Sequence, residues 1–301
     1  MIDYSIIIPS RNIPDLLGRA LASIPRRDDI QVIVVDDASD PSIVDFAHYP
    51  GLDNPRVEVI FTKEGRGAGY ARNAGLEHAA GRWILFLDSD DFFTPDCLKL
   101  MDRHLEDDAD IVFFNITSVF SDTLAYSKRH LSRSRFFTDY TGVRREFCCR
   151  YLYTEPWGKM FKASFIREGG FLFDETPLAN DFTFSIMTGI AAQRIATDTD
   201  CLCCITERVG SLSHVYCSTP LQLSTRLKVY RDVQDLLDAA GVHSYPFYNL
   251  VYFTLRHRKE MTGILKAFCK DRRISFNILI IKTLFYKIKF SHLHGRPWAI
   301  F

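Results

Sequence analysis

Trp83-Ile84-Leu85-Phe86-Leu87-Asp88-Ser89-Asp90-Asp91 sets an apolar run directly before a cluster of carboxylates. A run this short and this apolar reads as a strand buried on both faces, and the acids mark the point where the chain leaves the sheet. Two earlier segments end the same way. Ser5-Ile6-Ile7-Ile8-Pro9 runs into Ser10-Arg11-Asn12, and Val32-Ile33-Val34-Val35 runs into Asp36-Asp37-Ala38-Ser39-Asp40. Residues 57–61 and 111–114 supply two further strands. Between them, Leu16, Leu17, Ala20, Leu21 and Ile24 repeat at helical spacing, and residues 69–80 are alanine-rich and helix-compatible. Thr94-Pro95-Asp96 predicts a helix start, with threonine as N-cap and proline at the first helical position. Strands alternating with helices in this way predict an α/β fold: a mostly parallel central sheet with helices on both faces.

The chain has 301 residues, 47% of them hydrophobic and 25% charged, an ordinary globular composition. It excludes a disordered, collagen-like or small disulfide-stapled protein. Lysine plus arginine and aspartate plus glutamate both total 37, but the balance is uneven along the chain. Residues 256–301 hold eleven basic side chains and two acidic ones, which leaves 26 basic against 35 acidic in residues 1–255. An acidic body with a basic tail predicts that the tail meets something anionic. The first residues have no basic n-region and reach Pro9 before any long apolar run, so they do not read as a signal peptide. No stretch of about 18 uncharged apolar residues predicts a membrane span. Eight cysteines in mostly apolar settings predict a reduced, cytoplasmic protein.

In an open α/β sheet, ligands bind outside the carboxyl ends of the strands. Carboxylates that converge there repel one another unless a cation is bound. Magnesium or manganese suits such an all-oxygen site and leaves positions for phosphate oxygens. The alternative is that Asp36 and Asp37 cap a helix while Asp88 to Asp91 form a solvated turn; both clusters on one predicted edge favour the metal. There is no G-x-x-x-x-G-K-[ST], which excludes a P-loop. Gly65-Arg66-Gly67-Ala68-Gly69 follows the third strand and lacks the dinucleotide-binding spacing.

Four stretches, SIIIPSRN (5–12), VVDDASD (34–40), GAGYARNAGL (67–76) and FLDSDDF (86–92), resemble in order and spacing the successive motifs of family 2 glycosyltransferases with the GT-A fold. Trp157-Gly158-Lys159-Met160-Phe161-Lys162, Asn180-Asp181-Phe182 and Arg208-Val209-Gly210-Ser211-Leu212-Ser213 resemble its later landmarks. The resemblance implies an inverting transferase that moves a sugar from a nucleotide diphosphate, most often UDP, to a saccharide hydroxyl. A bacterial surface glycan is the implied setting. Pro9 and Arg11 would line the nucleotide pocket, and Asp37 would bind the base. Arg72 would sit beside the base or diphosphate, and Asp88, with Ser89, would contact the ribose side. Arg208 and Ser211 would reach the diphosphate. Asp90 would hold the metal, with His214 as an additional ligand. Asp181 matches the catalytic base, and Asn180 stands where the family usually has glutamate. In-line displacement by the acceptor hydroxyl, with a single base to take its proton, agrees with inversion and needs no covalent carboxylate. Two alternatives remain: a sugar nucleotidyltransferase, disfavoured by Pro9-Ser10-Arg11-Asn12 in place of an early glycine-rich loop, and a non-catalytic binding protein of the same fold.

Weaker signals carry two readings each. His214 reads as a metal or phosphate contact, or as a structural histidine. Lys159 reads as a phosphate or acceptor contact, or as a surface lysine. Trp157 reads as a stacking platform for the acceptor sugar, or as core. Cys201, Cys203 and Cys204 lack zinc-site spacing and read as buried free thiols.

The expected domains are a catalytic one over 1–220 and a helical basic extension over 221–301. Within the first, 1–118 would bind the nucleotide sugar. Residues 119–220 would supply the acceptor side and the base, with 119–150 as a polar lid or insertion. In the extension, Ile274, Ile278, Ile281, Phe285 and Ile288 share one helical side among basic residues. Segment 272–290 therefore predicts peripheral contact with the inner face of the plasma membrane and a lipid-linked acceptor, or else a helix packed on the protein or on a homo-oligomeric partner. No motif predicts nucleic-acid binding.

Overall fold

The computed structural model describes residues 1–208 and 220–242, with six single positions between 263 and 277. Ser211, His214 and, but for two of those positions, the segment 272–290 lie outside the described residues. The chain divides into two compact units, Met1–His214 and Val215–Phe301.

The first unit is built on one eight-stranded sheet. Its strands in chain order are β1 (Tyr4–Ser10), β2 (Ile30–Asp36), β3 (Val57–Phe61), β4 (Trp83–Phe86), β5 (Phe92–Phe93), β6 (Ile111–Phe120), β7 (Lys159–Lys162) and β8 (Ile195–Glu207). The spatial order is β3-β2-β1-β4-β7-β6-β8-β5. β3, β2, β1 and β4 run parallel, with Ile7 facing Ile33 on one side and Phe86 on the other. Every residue of β1 and β4 is buried, as the unbroken apolar runs predict. β7 enters antiparallel between β4 and β6, while β6 and β8 pair in parallel. Because β7 runs backwards, its first residue, Lys159, lies at the edge where β4 ends.

The helices are α1 (Pro14–Ala22), α2 (Ala68–His78), α3 (Cys97–Arg103), α4 (Leu131–Thr138), α5 (Gly142–Leu152), α6 (Ala163–Gly169), α7 (Phe182–Ala191) and, in the second unit, α8 (Pro220–Ala239). In α8 the buried Val229, Val233 and Leu237 recur four residues apart, one stripe of a helix.

Three local expectations change. Residues 119–150 are not a loose polar segment: they end β6 and form α4 and α5, which bury Phe136, Phe137, Cys148 and Cys149. Thr94 does not cap α3; the cap position is Asp96, and the Thr94 hydroxyl donates to the Cys201 carbonyl of β8 at 2.7 Å. A threonine before proline is a local cap signal, and a neighbouring strand offers its hydroxyl a better acceptor. Lys159 is not a surface lysine but core, at 2% exposure, and Trp157 beside it follows its core reading, at 5%.

Candidate active site

The site forms where β1, β2 and β4 end. Asp36 is structural: its buried carboxylate accepts from the Ser39 amide (2.8 Å), the Ser39 hydroxyl (2.6 Å) and the Tyr49 hydroxyl (2.8 Å). Asp37, also buried, accepts from the backbone amides of Arg66 (2.9 Å) and Gly67 (2.8 Å) and so fixes the loop that opens α2. The Arg11 guanidinium lies 3.8 Å from Asp37 and is half exposed. Pro9 is buried inside β1 opposite Val35.

The first two loops lock each other. Asn12 donates its amide to the Ser39 hydroxyl (2.8 Å), and its side-chain oxygen accepts from the Asp40 amide (2.7 Å). Asn12, Ala38 and Ala179 all have positive φ, at 58°, 54° and 55°. Such backbone strain in non-glycine residues clusters at functional sites.

Asp88, Asp90 and Asp91 each present an oxygen within 4.8 Å of the others. Asp91 faces inward: it accepts from the Thr206 amide of β8 (2.6 Å), and burial, with Asp90 and Asp88 nearby, pushes its carboxyl well above the usual range. Asp90 accepts from Arg208 Nε (3.0 Å), while its carbonyl accepts from Arg19 (2.6 Å) and from the Thr206 hydroxyl (2.8 Å). Asp88 accepts from Arg72 Nη2 (2.6 Å). Ser89 is buried between them. The oxygen-only donors of Asp88 and Asp90 suit a magnesium- or manganese-type ion.

Arg72 joins the two halves of the site. It is buried on α2, and its other terminal nitrogen donates to the Asn180 side-chain oxygen at 3.0 Å. Asn180 thus takes up a neutral contact where a glutamate would form a second ion pair. Gly69, one turn earlier on the same helix, lets this loop approach: a Cβ there would stand 2.0 Å from the Asp174 carbonyl and 3.1 Å from Asn180 Cβ. Asp181 follows at the N-cap of α7, with no side-chain capping bond. Its carboxyl, partly exposed, is raised from 3.8 to about 6. Burial is the main cause; Glu155 and Asp88 add to it, and Arg72 opposes it.

The fold therefore brings together Arg11 with Asp37, Arg72 with Asp88, Asp90 with Arg208, and Asp181 with Arg72 and Asp88 through the adjacent Asn180. Sequence reasoning missed Asn12, Arg19 and Thr206. Asn12 alone left a signal, as a residue tolerant of positive φ just past a strand.

Residues 5–168, more than half of the chain, match the sequence profile of Glycosyl transferase family 2. The chain belongs to glycosyltransferase family 2. Among curated members it is 36% identical over 122 residues to the putative glycosyltransferase EpsH of Bacillus subtilis, covering 40% of this chain and 35% of EpsH. It is 27% identical over 210 residues to the poly(ribitol-phosphate) β-N-acetylglucosaminyltransferase TarS of Staphylococcus aureus, covering 66% of this chain and 35% of TarS. The chain thus spans about a third of the length of these relatives. In structure it resembles S. aureus TarS 1-349 in complex with UDP-GlcNAc, with a TM-score of 0.62, 22% identity, and coverage of 78% of this chain and 66% of that one. It also resembles the mannosyltransferase PcManGT of Pyrobaculum calidifontis in complex with GDP-Man and Mn2+, with a TM-score of 0.55, 18% identity, and coverage of 97% and 87%. These likenesses agree with the α/β architecture expected of family 2. Among the described residues no helix is long and apolar enough to cross a membrane.

Proposed function

We propose that the chain is an inverting glycosyltransferase that moves a sugar from a nucleotide diphosphate, UDP, to a hydroxyl of a saccharide or lipid-linked saccharide, in the cytoplasm, during surface-glycan synthesis. One observation carries the reading. Asp181, a carboxyl raised to about 6, heads a helix beside the strand-edge acids and is joined to them through Arg72 and Asn180. A base poised near the working pH is what an acceptor hydroxyl needs as its oxygen attacks the anomeric carbon. Asp181 takes that proton while the bond to the diphosphate breaks on the opposite face, which inverts the centre. Arg11 and Asp37 border the base pocket, and Arg72 orients Asp88 toward the ribose. A divalent cation held by Asp88 and Asp90 would supply positive charge for the departing diphosphate. Arg208, paired with Asp90, adds a fixed cation at the same place.

Family 2 membership supports transfer over nucleotidyl chemistry. UDP is favoured by the TarS likeness, and glycan synthesis by relatives such as the succinoglycan biosynthesis protein ExoO. The basic composition of 272–290 supports contact with an anionic membrane surface. The test is release of free nucleotide from UDP-GlcNAc, UDP-glucose, UDP-galactose and GDP-mannose with manganese. Release from a UDP-sugar, lost in Asp181→Asn, is expected. No release from any of the four would overturn the reading.

A further inference from the structure

Among the described residues one lysine amine is buried, and it reaches the helix that Asp181 heads. Lys159 begins β7 with 2% of its surface exposed. Its Nζ donates to the Tyr153 carbonyl at 2.6 Å and approaches the Ser185 hydroxyl at 3.5 Å. Three rings enclose it: Tyr153 at 4.8 Å, Phe113 at 5.2 Å and Phe161 at 6.0 Å from their centroids. An ammonium in such a place costs far more than methionine of the same volume would, so packing alone does not account for it.

The neighbouring sequence is shaped to hold this amine. Gly158 has a φ of 68°, and a Cβ on it would stand 2.2 Å from the Tyr153 hydroxyl. Tyr153 is fully buried and edge-packed by Trp157 at 5.7 Å, so it cannot retreat. Glycine is therefore what allows Tyr153 to lie against the amine. Ser185, the other contact, belongs to the first turn of α7, and its amide donates to the Asp181 carbonyl at 3.0 Å. The antiparallel entry of β7 beside β4 brings Lys159 to the edge where the strand-end acids sit.

The geometry points to Lys159 as a positioning residue for Asp181: its buried amine ties β7 to the first turn of α7 and, when protonated, sets a positive charge behind the carboxylate. This rests on Asp181 being the base. The groups facing Asp181 are Arg72 on α2, Asp88 after β4, Glu155 before β7, and Lys159 itself. Those facing Lys159 are Glu155, Cys149 on α5, Arg133 on α4, and Asp181. Glu155 accepts two bonds from Arg133, both 2.7 Å. Burial lowers the Lys159 amine to about 7, so it is mostly charged at about pH 6, where Asp181 titrates, and about half charged at pH 7.

The experiment compares the wild-type 301-residue chain with Lys159→Met, which keeps the volume and removes the charge. Two readings are taken: the Asp181 carboxyl midpoint by carbon-13 NMR, assigned with Asp181→Asn, and kcat and KM against pH with the donor the wild type uses. The expected result is a midpoint moved up by about one unit, a kcat about twofold lower at pH 7 and about tenfold lower at pH 5, and a donor KM unchanged within about threefold. An unmoved midpoint overturns the proposal. So does a loss of donor affinity equal to the loss of kcat, which marks a purely structural lysine. If Lys159→Met does not fold, Ser185→Ala decides: a smaller upward midpoint shift supports the proposal, and none overturns it. The NMR reading needs no turnover, so failure of the transferase reading shows separately, as an inactive wild type or an Asp181→Asn variant as active as the wild type.

Discussion

Replacing Asp181 with asparagine should abolish turnover and make the protein more stable at neutral pH. Its carboxyl is raised from 3.8 to about 6. A carboxyl raised in the folded state binds its proton more tightly folded than unfolded. The stability it contributes is therefore fully present below about 3.8 and is lost as pH rises through about 6. Two units at 1.36 kcal/mol each give about 3 kcal/mol, and partial exposure of the side chain brings this nearer about 2 kcal/mol. Asparagine is uncharged at every pH and avoids the loss. Asp181→Asn should gain about 2 kcal/mol at pH 7.5, about half of that at pH 5, and nothing near pH 3.5. For a unit of this size the midpoint should rise by about 4–8 °C at pH 7.5. Thermal and urea unfolding at pH 5 and 7.5, beside a nucleotide-release assay, read both halves. A variant no more stable than wild type at pH 7.5 would refute the argument that Asp181 is held charged at a cost, as functional groups are.

The same carboxyl predicts that wild-type kcat/KM rises with pH through about 6, so that pH 5 gives about a tenth of the plateau; a rate flat from pH 5 to 8 would count against Asp181 as base. Gly158→Ala would drive a Cβ to 2.2 Å from the Tyr153 hydroxyl at a φ of 68°, and should lower the urea midpoint by an amount worth about 2–4 kcal/mol. Chelation with EDTA should suppress nucleotide release, manganese should restore it in the wild type, and Asp90→Ala should not be restored at any manganese concentration.

The parallel half of the sheet was legible because β1, β4 and residues 32–35 of β2 are buried and written as short apolar runs. The acids at their ends were legible for the same reason, since a charge after such a run marks where the strand stops. What the sequence hid depends on distant partners. Lys159 reads as a surface lysine until β7 is seen to enter antiparallel between β4 and β6, which seals it among rings from three parts of the chain. Thr94 reads as a cap because the Cys201 carbonyl that takes its hydroxyl is 107 positions away. The roles of Asp36 and Asp37 were merged in the sequence. Only the fold shows one carboxylate spent on Ser39 and Tyr49 and the other on the loop that opens α2. Asp181 was legible through its motif alone, and its raised carboxyl follows from burial that no local pattern records.

The most direct test of the account is thermal unfolding of the wild-type protein with UDP, GDP, ADP and CDP, each with and without manganese. The account predicts a rise with UDP that requires manganese, worth about 2.7 kcal/mol at 100 times the dissociation constant. No rise with any nucleoside diphosphate would contradict it.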